Sequence, residues 1–592
     1  MKKIAYSGIA LLLAAGMFAA CKKSFLERPP YGALTEEIIA NKDGVNYLLV
    51  GAYAALDGQA PGTSALGGTG SGWMSSPTNW VYGSVAGGDA HKGSESTDQP
   101  DINAIATGQE SATNTFLNAK WKAVFEGITR CNNTLKFMKQ ATDMTADQKK
   151  EVEAEARFLR GHYYFDLKKM FNKVPWITDS TTDMLQPNDK DIWPNIIADF
   201  TFAMNNLPET QSDIARVNKW AAQIYLAKCY LYQKQYATAL PLFQSAITNG
   251  QTSNGKKYDL EPRFENNFDA ATKNGPESVF AIQMVANDGT NTITNANAGD
   301  MLNYPYNSPF GCCGFFQPTQ DLVNSYRTDV NGLPYVDDYN THAVKSDMGI
   351  KSADPFTPDA GNLDPRLDWT VGRRGIPYHD WGIYPGMDWV RQQNTAGPYA
   401  GKKMIYWQFN QSLYKDAHSW APGSAINVVV IRFSDVLLMA AECAAQTGDG
   451  ETARLLINRV RHRMIDHPEN WLHKYVDDTK PMGGFSNVMA ANYVIGEYPA
   501  GAFASAAAAL KAVKFERKLE LATEGHRYFD IGRWDDGADL MKKFYDYETT
   551  ITSDLTGSEY KKGRNEYFPI PQRQIDLSTK GSTSVLTQNG GY

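Results

Sequence analysis

The 592-residue chain is 42% apolar and 21% charged, an ordinary globular balance, and its formal net charge of -7 argues against the basic stripe of a nucleic-acid-binding protein. Length alone suggests about three or four domains of ~150 residues, unless helical repeats extend one scaffold without a new core for each unit. The 13 Trp, 31 Tyr and 26 Phe supply a core with aromatics to spare, and such faces stack on sugar rings or apolar ligands.

The N-terminus reads as a targeting segment. Lys2 and Lys3 form a positive start, Ile4 to Phe18 is an apolar stretch too short to span a bilayer comfortably, and Ala19-Ala20-Cys21 places small residues before a cysteine. This looks like a bacterial lipobox: a signal peptide over 1–20, Cys21 lipidated, and a tether over 21–34. Phe18 departs from the usual Leu, and the competing reading is an ordinary signal peptide followed by a chance cysteine. Acyl chains at ~0.8 kcal/mol per buried methylene would make a stable anchor. No other stretch approaches ~20 apolar residues, so the anchor is the expected membrane device.

Thr35 to Leu56 predicts a helix capped by Thr35. Ala60 to Asn103 is rich in Gly, Ser and Asp yet holds Trp73, Trp80 and Tyr82, which predicts a long functional loop. Its Gly67 to Gly72 run is not a nucleotide loop, because no strand precedes it and no Gly-Lys-Ser/Thr closes it. Helices are predicted over Thr115–Gln140 and Ala146–Phe171, the second ending before Pro175. His162 on that helix faces either a ligand or the core.

Leu226, Ala227, Tyr230, Ala239, Phe243 and Ala246 fall at the spacing of a tetratricopeptide helix pair, and Leu437, Ala441, Ala444, Ala453, Ile457 and Val460 repeat it. One such pair cannot bury its face alone, so the pairs should stack with the N-terminal helices. Between them, about 251–424, Gly, Pro, Asn and Asp punctuate an irregular lobe dense in aromatics. Cys312-Cys313, flanked by Gly311 and Gly314, predicts a vicinal disulfide in an oxidising compartment, the alternative being two free thiols. Cys131, Cys229 and Cys443 sit in helical patterns and read as small buried apolar residues. Asp329-Val330-Asn331-Gly332 hints at a calcium loop but lacks the later ligands, so a turn is the better reading.

Near the C-terminus, Lys514 to Trp534 opens as an amphipathic helix through Phe515, Leu519 and Ala522, with Gly525 as its predicted stop. His526, between Glu524 and Arg527, is tempting as a catalytic group, but no nucleophile or metal-ligand spacing accompanies it. No zinc-protease, nucleophile-elbow or phosphate-loop motif occurs, so no catalytic residue, metal or cofactor is expected. A binding site needs only stacking rings and a few polar partners. The candidates are Trp80, Tyr82 and Asp89 on the first loop, and Tyr306, Cys312, Cys313, Arg374, Trp381 and Tyr399 on the lobe.

The Lys514–Trp534 run, the lipobox, Tyr567-Phe568-Pro569-Ile570-Pro571-Gln572, Asn132-Asn133, Glu155 to Arg160 and Leu363 to Asp368 together resemble the SusD/RagB family of surface lipoproteins in Bacteroidota. The final Gln588-Asn589-Gly590-Gly591-Tyr592 is similar to the family's usual ending, with Gly590 where proline is usual. The resemblance implies a mainly α fold, with a tetratricopeptide-like scaffold carrying a large irregular lobe. It implies a single SusD-like domain over 35–592, with helical regions at about 35–250 and 425–592. It also implies an oligosaccharide ligand, a SusC-like TonB-dependent transporter as partner, and a lipid-anchored place on the outer membrane facing outward. Lys22 and Lys23 stand where surface export in this phylum often follows acidic residues, which leaves the leaflet open. Competing readings are a surface glycosidase using two lobe carboxylates, a peptide-binding member of the family, and a scaffold of outer-membrane assembly.

Overall fold

The computed structural model describes residues 39–58 and 72–592. The signal segment, Cys21, the tether, Thr35 and most of the Gly67–Gly72 run lie outside them. The predicted first helix is seen as α1 (Lys42–Ala54), capped by the Asn41 side chain on the Gly44 N–H at 3.0 Å. α2 (Thr115–Gln140) and α3 (Ala146–Phe171) match the expected bounds. Asn114 caps α2, and Thr145 forms a reciprocal capping box with Gln148 on α3, so orphan N–H groups are satisfied locally.

α4 (Trp193–Asn206) leads to the first repeat pair, α5 (Lys219–Tyr232) and α6 (Tyr236–Asn249); the second pair is α7 (Phe433–Gln446) and α8 (Gly450–Ile465). Each helix packs on the next from α1 to α6, and α6 packs directly on α7 across the inserted lobe. The scaffold is therefore continuous in space where the sequence interrupts it. All of α7 but Gln446 is buried, and its alanines permit approach from both sides. Gly448, with φ +87°, makes the turn into α8.

α9 (Ala506–Glu520), α10 (Arg527–Arg533) and α11 (Gly537–Glu548) close the scaffold. Gly525 does not stop α9, which ends at Glu520. The Lys403 ammonium draws the carbonyls of Glu520 (3.2 Å) and Ala522 (2.8 Å), and the Thr523 N–H turns to the Asp89 carboxylate at 3.0 Å. Gly525 instead permits close packing: a Cβ there would lie 1.9 Å from the Thr78 carbonyl oxygen.

The lobe is irregular, as expected, but well packed. One apolar cluster joins its Leu322, Tyr326, Leu363 and Trp369 to Phe515 and Leu519 of α9. Another gathers Tyr304, Phe310, Tyr378, Tyr384 and Tyr406. Short ladders pin it: β1 (Ala90–Gly93) pairs with β3 (Phe315–Pro318), and β2 (Ser278–Ile282) with β4 (Val428–Arg432), both antiparallel.

The Lys514–Trp534 run is an electrostatic hub. Glu516, Glu520 and Glu524, four residues apart, meet arginines from distant segments. Arg366 of the lobe binds Glu516 (2.7 Å) and Glu520 (2.9 Å), Arg432 of β4 binds Glu520 (2.5 Å) and Glu524 (2.8 Å), and Arg461 of α8 binds Glu516 (3.0 Å). Arg463 reaches Glu277 at 3.2 Å and also pairs with Glu520. All these side chains are buried, so each charge depends on its partners.

Candidate functional site

The residues expected on the first loop are interior. The segment from Trp80 to Val85 is a buried π-helical turn rather than an exposed loop. Trp80 is 1% exposed, its indole N–H donates to the Gly299 carbonyl at 3.1 Å, and its ring meets Phe315 and Phe316 edge-on. The Tyr82 hydroxyl donates to the Phe116 carbonyl at 2.8 Å. Burial raises the Asp89 carboxyl to about 6, and its role is to accept the Thr523 N–H. These three, expected to touch ligand, are corrected to supports beneath the lobe: enclosure on all sides keeps a ligand from their faces.

Tyr399 is likewise buried, its hydroxyl donating to Gln320 at 2.7 Å. Arg374 ties down a neighbouring loop through the Ser352 carbonyl at 2.8 Å. Both are corrected to structural roles. Trp381 is half-buried, its ring tilted 58° against Phe310 at 4.5 Å between centroids, and its N–H donates to the Tyr406 carbonyl at 2.8 Å.

The structure brings Tyr306, Cys312 and Cys313 together on one hairpin-like loop, with the two cysteines joined as a vicinal disulfide. Cys312 is half-buried and Cys313 buried. The Cys313 and Gly314 N–H groups both donate to the Tyr304 carbonyl, at 3.2 and 2.8 Å, and close the loop. Gly314 has φ +79°, and a Cβ there would sit 2.8 Å from the Tyr306 Cβ, so glycine is what lets the tyrosine seat. Tyr306 remains 37% exposed.

Across that ring lies the Arg391 guanidinium, 5.3 Å from the centroid. Arg391 binds Glu95 (3.1 Å) and Asp98 (3.2 Å), whose segment follows β1, and each of these side chains is about one-third exposed. Ser94 anchors the set, accepting from Arg391 at 2.9 Å and donating to Asp98 at 3.0 Å. Asn307 donates to the Asp388 carbonyl at 3.3 Å and ties the Tyr306 loop to the arginine's loop. A solvent-facing ring with adjoining cation, carboxylates and amide is suited to stacking a sugar face and bonding its hydroxyls. Arg391, Glu95 and Asp98 are not legible as site residues in the sequence, because their convergence requires the β1–β3 pairing.

Trp420 is 66% exposed and meets Trp73 edge-on at 6.2 Å; Phe409 and Leu413 are exposed too. Their signal in the sequence is the same as that of the buried lobe aromatics: rings in a Gly/Pro-rich stretch.

His162 and His526 are half-buried side chains held in the neutral form. Burial lowers His162 to about 3 and His526 to about 4; His162 pairs with the Tyr225 hydroxyl at 2.7 Å. Asp329 makes the expected turn, its carboxylate accepting the N–H groups of Asn331 (2.8 Å) and Leu333 (2.9 Å). Among the described residues no cluster of three or more His, Cys, Asp or Glu is arranged to hold a metal.

Comparison with known proteins gives a consistent relationship. A profile described as SusD family matches residues 276–592, and one described as starch-binding associating with outer membrane matches residues 24–231. SusD-like protein P25 of Formosa agariphila is 23% identical over 485 residues, covering 79% of each chain. A SusD-like protein of Bacteroides ovatus is 26% identical over 283 residues, 45% of this chain and 48% of that one. Among solved structures, a SusD superfamily protein from Bacteroides vulgatus superposes with a TM-score of 0.66 at 21% identity, covering 93% of this chain and 99% of the other. Surface glycan-binding protein A from Bacteroides thetaiotaomicron, in complex with laminarihexaose, superposes with a TM-score of 0.63 at 20% identity, covering 93% and 99%.

Proposed function

This chain belongs to the SusD family, and we propose that it captures oligosaccharides on its lobe and passes them to a TonB-dependent transporter of the outer membrane. The observation that carries this reading is the Tyr306 ring, held solvent-facing on a braced loop with Arg391, Glu95 and Asp98 beside it. An exposed ring on a rigid support gains stacking energy without first paying to become ordered. The laminarihexaose complex of a protein with the same fold supports a glycan as cargo. The outer-membrane description of the matching family supports the location, with Cys21 as the proposed lipid anchor and the lobe facing outward. A glycosidase would need a free acid and a free base; Glu95 and Asp98 are both engaged by Arg391, which favours capture over cleavage.

The test is calorimetric titration of oligosaccharides, β-1,3-glucan fragments and acidic glycans included, with peptides in parallel and mass analysis of the ligand afterward. Tyr306→Ala should weaken binding about tenfold, equivalent to ~1.4 kcal/mol, with the fold intact. Unchanged affinity in that variant would remove the site, and a cleaved ligand would replace capture by catalysis. Co-purification of a TonB-dependent transporter from mildly solubilised membranes tests the delivery step.

A further inference from the structure

The Lys514–Trp534 run turns one face to the buried arginines. Its other face borders a groove that the glycan reading does not use. α9, α10, α11, the Val336–Tyr339 stretch and the Gly87-Gly88 turn line a groove of about 390 Å³, open to solvent. The floor is mainly aliphatic: Ile531 and Met541 are buried, and Leu510, Leu540 and Val336 are half-buried. Gly88 has φ +84°, and a Cβ there would meet the Phe544 ring at 2.9 Å, so the backbone itself forms part of the wall.

The rim is cationic. Lys511, Lys514, Arg527 and Lys543 line it with the buried Lys518, among the carboxylates of Asp321, Asp337 and Asp536. Lys518 binds Asp321 at 2.6 Å, Lys514 binds Asp536 at 2.5 Å, and Lys511 pairs with Asp337. Arg527 and Lys543 form no ion pair among the described residues; the Arg527 guanidinium lies over the Trp534 ring, 5.6 Å from its centroid. The groove therefore combines an apolar floor with two cations outside any direct ion pair: Lys543 at the surface, and Arg527, close enough to the buried Asp89 carboxyl to lower its pKa.

An oligosaccharide is poorly matched to this surface. The aliphatic floor returns none of the hydrogen bonds its hydroxyls would leave in water, and Phe515 and Phe544 are buried rather than presented. A molecule with an apolar tail and one negative end is matched at both ends. We propose that this groove binds a free medium-chain fatty carboxylate, its tail along Leu510, Ile531, Leu540 and Met541 and its head between Arg527 and Lys543.

The experiment titrates dodecanoate, below its micelle concentration, into the chain from Lys22 onward, which retains every described residue. Neutral dodecanol and phosphatidylglycerol vesicles are parallel arms. Saturable binding of about one dodecanoate per chain is expected, at least tenfold tighter than dodecanol and weakened by added salt. Leu540→Glu should weaken it at least tenfold and the exposed Lys543→Glu at least threefold, with circular dichroism unchanged. If Leu540→Glu fails to fold, Lys543→Glu alone decides. No saturable binding, or binding indifferent to Lys543→Glu, overturns the proposal. So does binding to the vesicles without binding to free dodecanoate, which would assign the rim to a membrane surface.

Discussion

Glu520 is the carboxylate on which three segments converge, and replacing it by glutamine tests whether that hub holds the lobe to the scaffold. Arg366 comes from the lobe, Arg432 from the strand before the second repeat pair, and Arg463 from its second helix; all three donate to Glu520. Glutamine keeps the shape and removes the charge, leaving buried guanidinium groups under-neutralised. Breaking a buried pair by removing one partner costs about 3–5 kcal/mol. Glu520→Gln should therefore lower the urea-unfolding free energy at pH 7 by about that amount. Asp546→Asn, in the exposed Lys542–Asp546 pair, is the control and should change nothing measurable.

The pH dependence sharpens the test. Burial alone would raise the Glu520 pKa, but Arg463, Arg432 and Arg366 override it and hold the carboxyl well below the usual range. A depressed folded pKa gives stability that is present above the unfolded value, ~4.3, and is lost as pH falls toward the folded one. The wild type thus loses ~1.4 kcal/mol per pH unit from this group below pH ~4.3, whereas the glutamine variant loses none there. A gap of about 3–5 kcal/mol should close over roughly two to four pH units. A gap under about 1 kcal/mol at pH 7, or one that does not narrow in acid, would refute the hub.

Trp80→Ala removes a buried indole packed on Phe315 and Phe316, so it should cost about 3–5 kcal/mol in urea unfolding rather than act as a selective binding mutation. A stable protein with binding lost would contradict that placement. His91 is buried between Glu548 and Asp554, each at 2.9 Å. Burial alone would lower it, but Asp554 and Glu548 raise it to about 10. A raised histidine pKa gives stability that is full below ~6.5 and lost as pH rises toward the folded value. Wild type should therefore lose about 3–5 kcal/mol between pH 6.5 and 10 that His91→Gln does not lose; parallel profiles for the two proteins would show that no such charge is held.

What could be read from the sequence was what short-range physics decides. α2 and α3 end where caps and the approach to Pro175 end them, and both repeat pairs declare themselves through the spacing of alanines with larger apolar residues, aromatic in the first pair and aliphatic in the second. The pairing of Cys312 with Cys313 needs no distant partner. α9 stops before Gly525 because Lys403, more than a hundred positions away in sequence, takes up its final carbonyls. The same limit governed the site. Trp80 and Tyr306 both occur in irregular, glycine-rich sequence, and nothing local separates them. Trp80 is covered because Phe315, Phe316 and Gly299 fold over it, while Tyr306 stays open because Gly314 and Arg391 seat it at the surface. Periodicity fixed which segments are helices and that they stack. Which aromatic meets solvent, and which arginine meets Glu520, depended on contacts between segments far apart in the chain, because burial and ion pairing belong to the assembled surfaces rather than to any one segment.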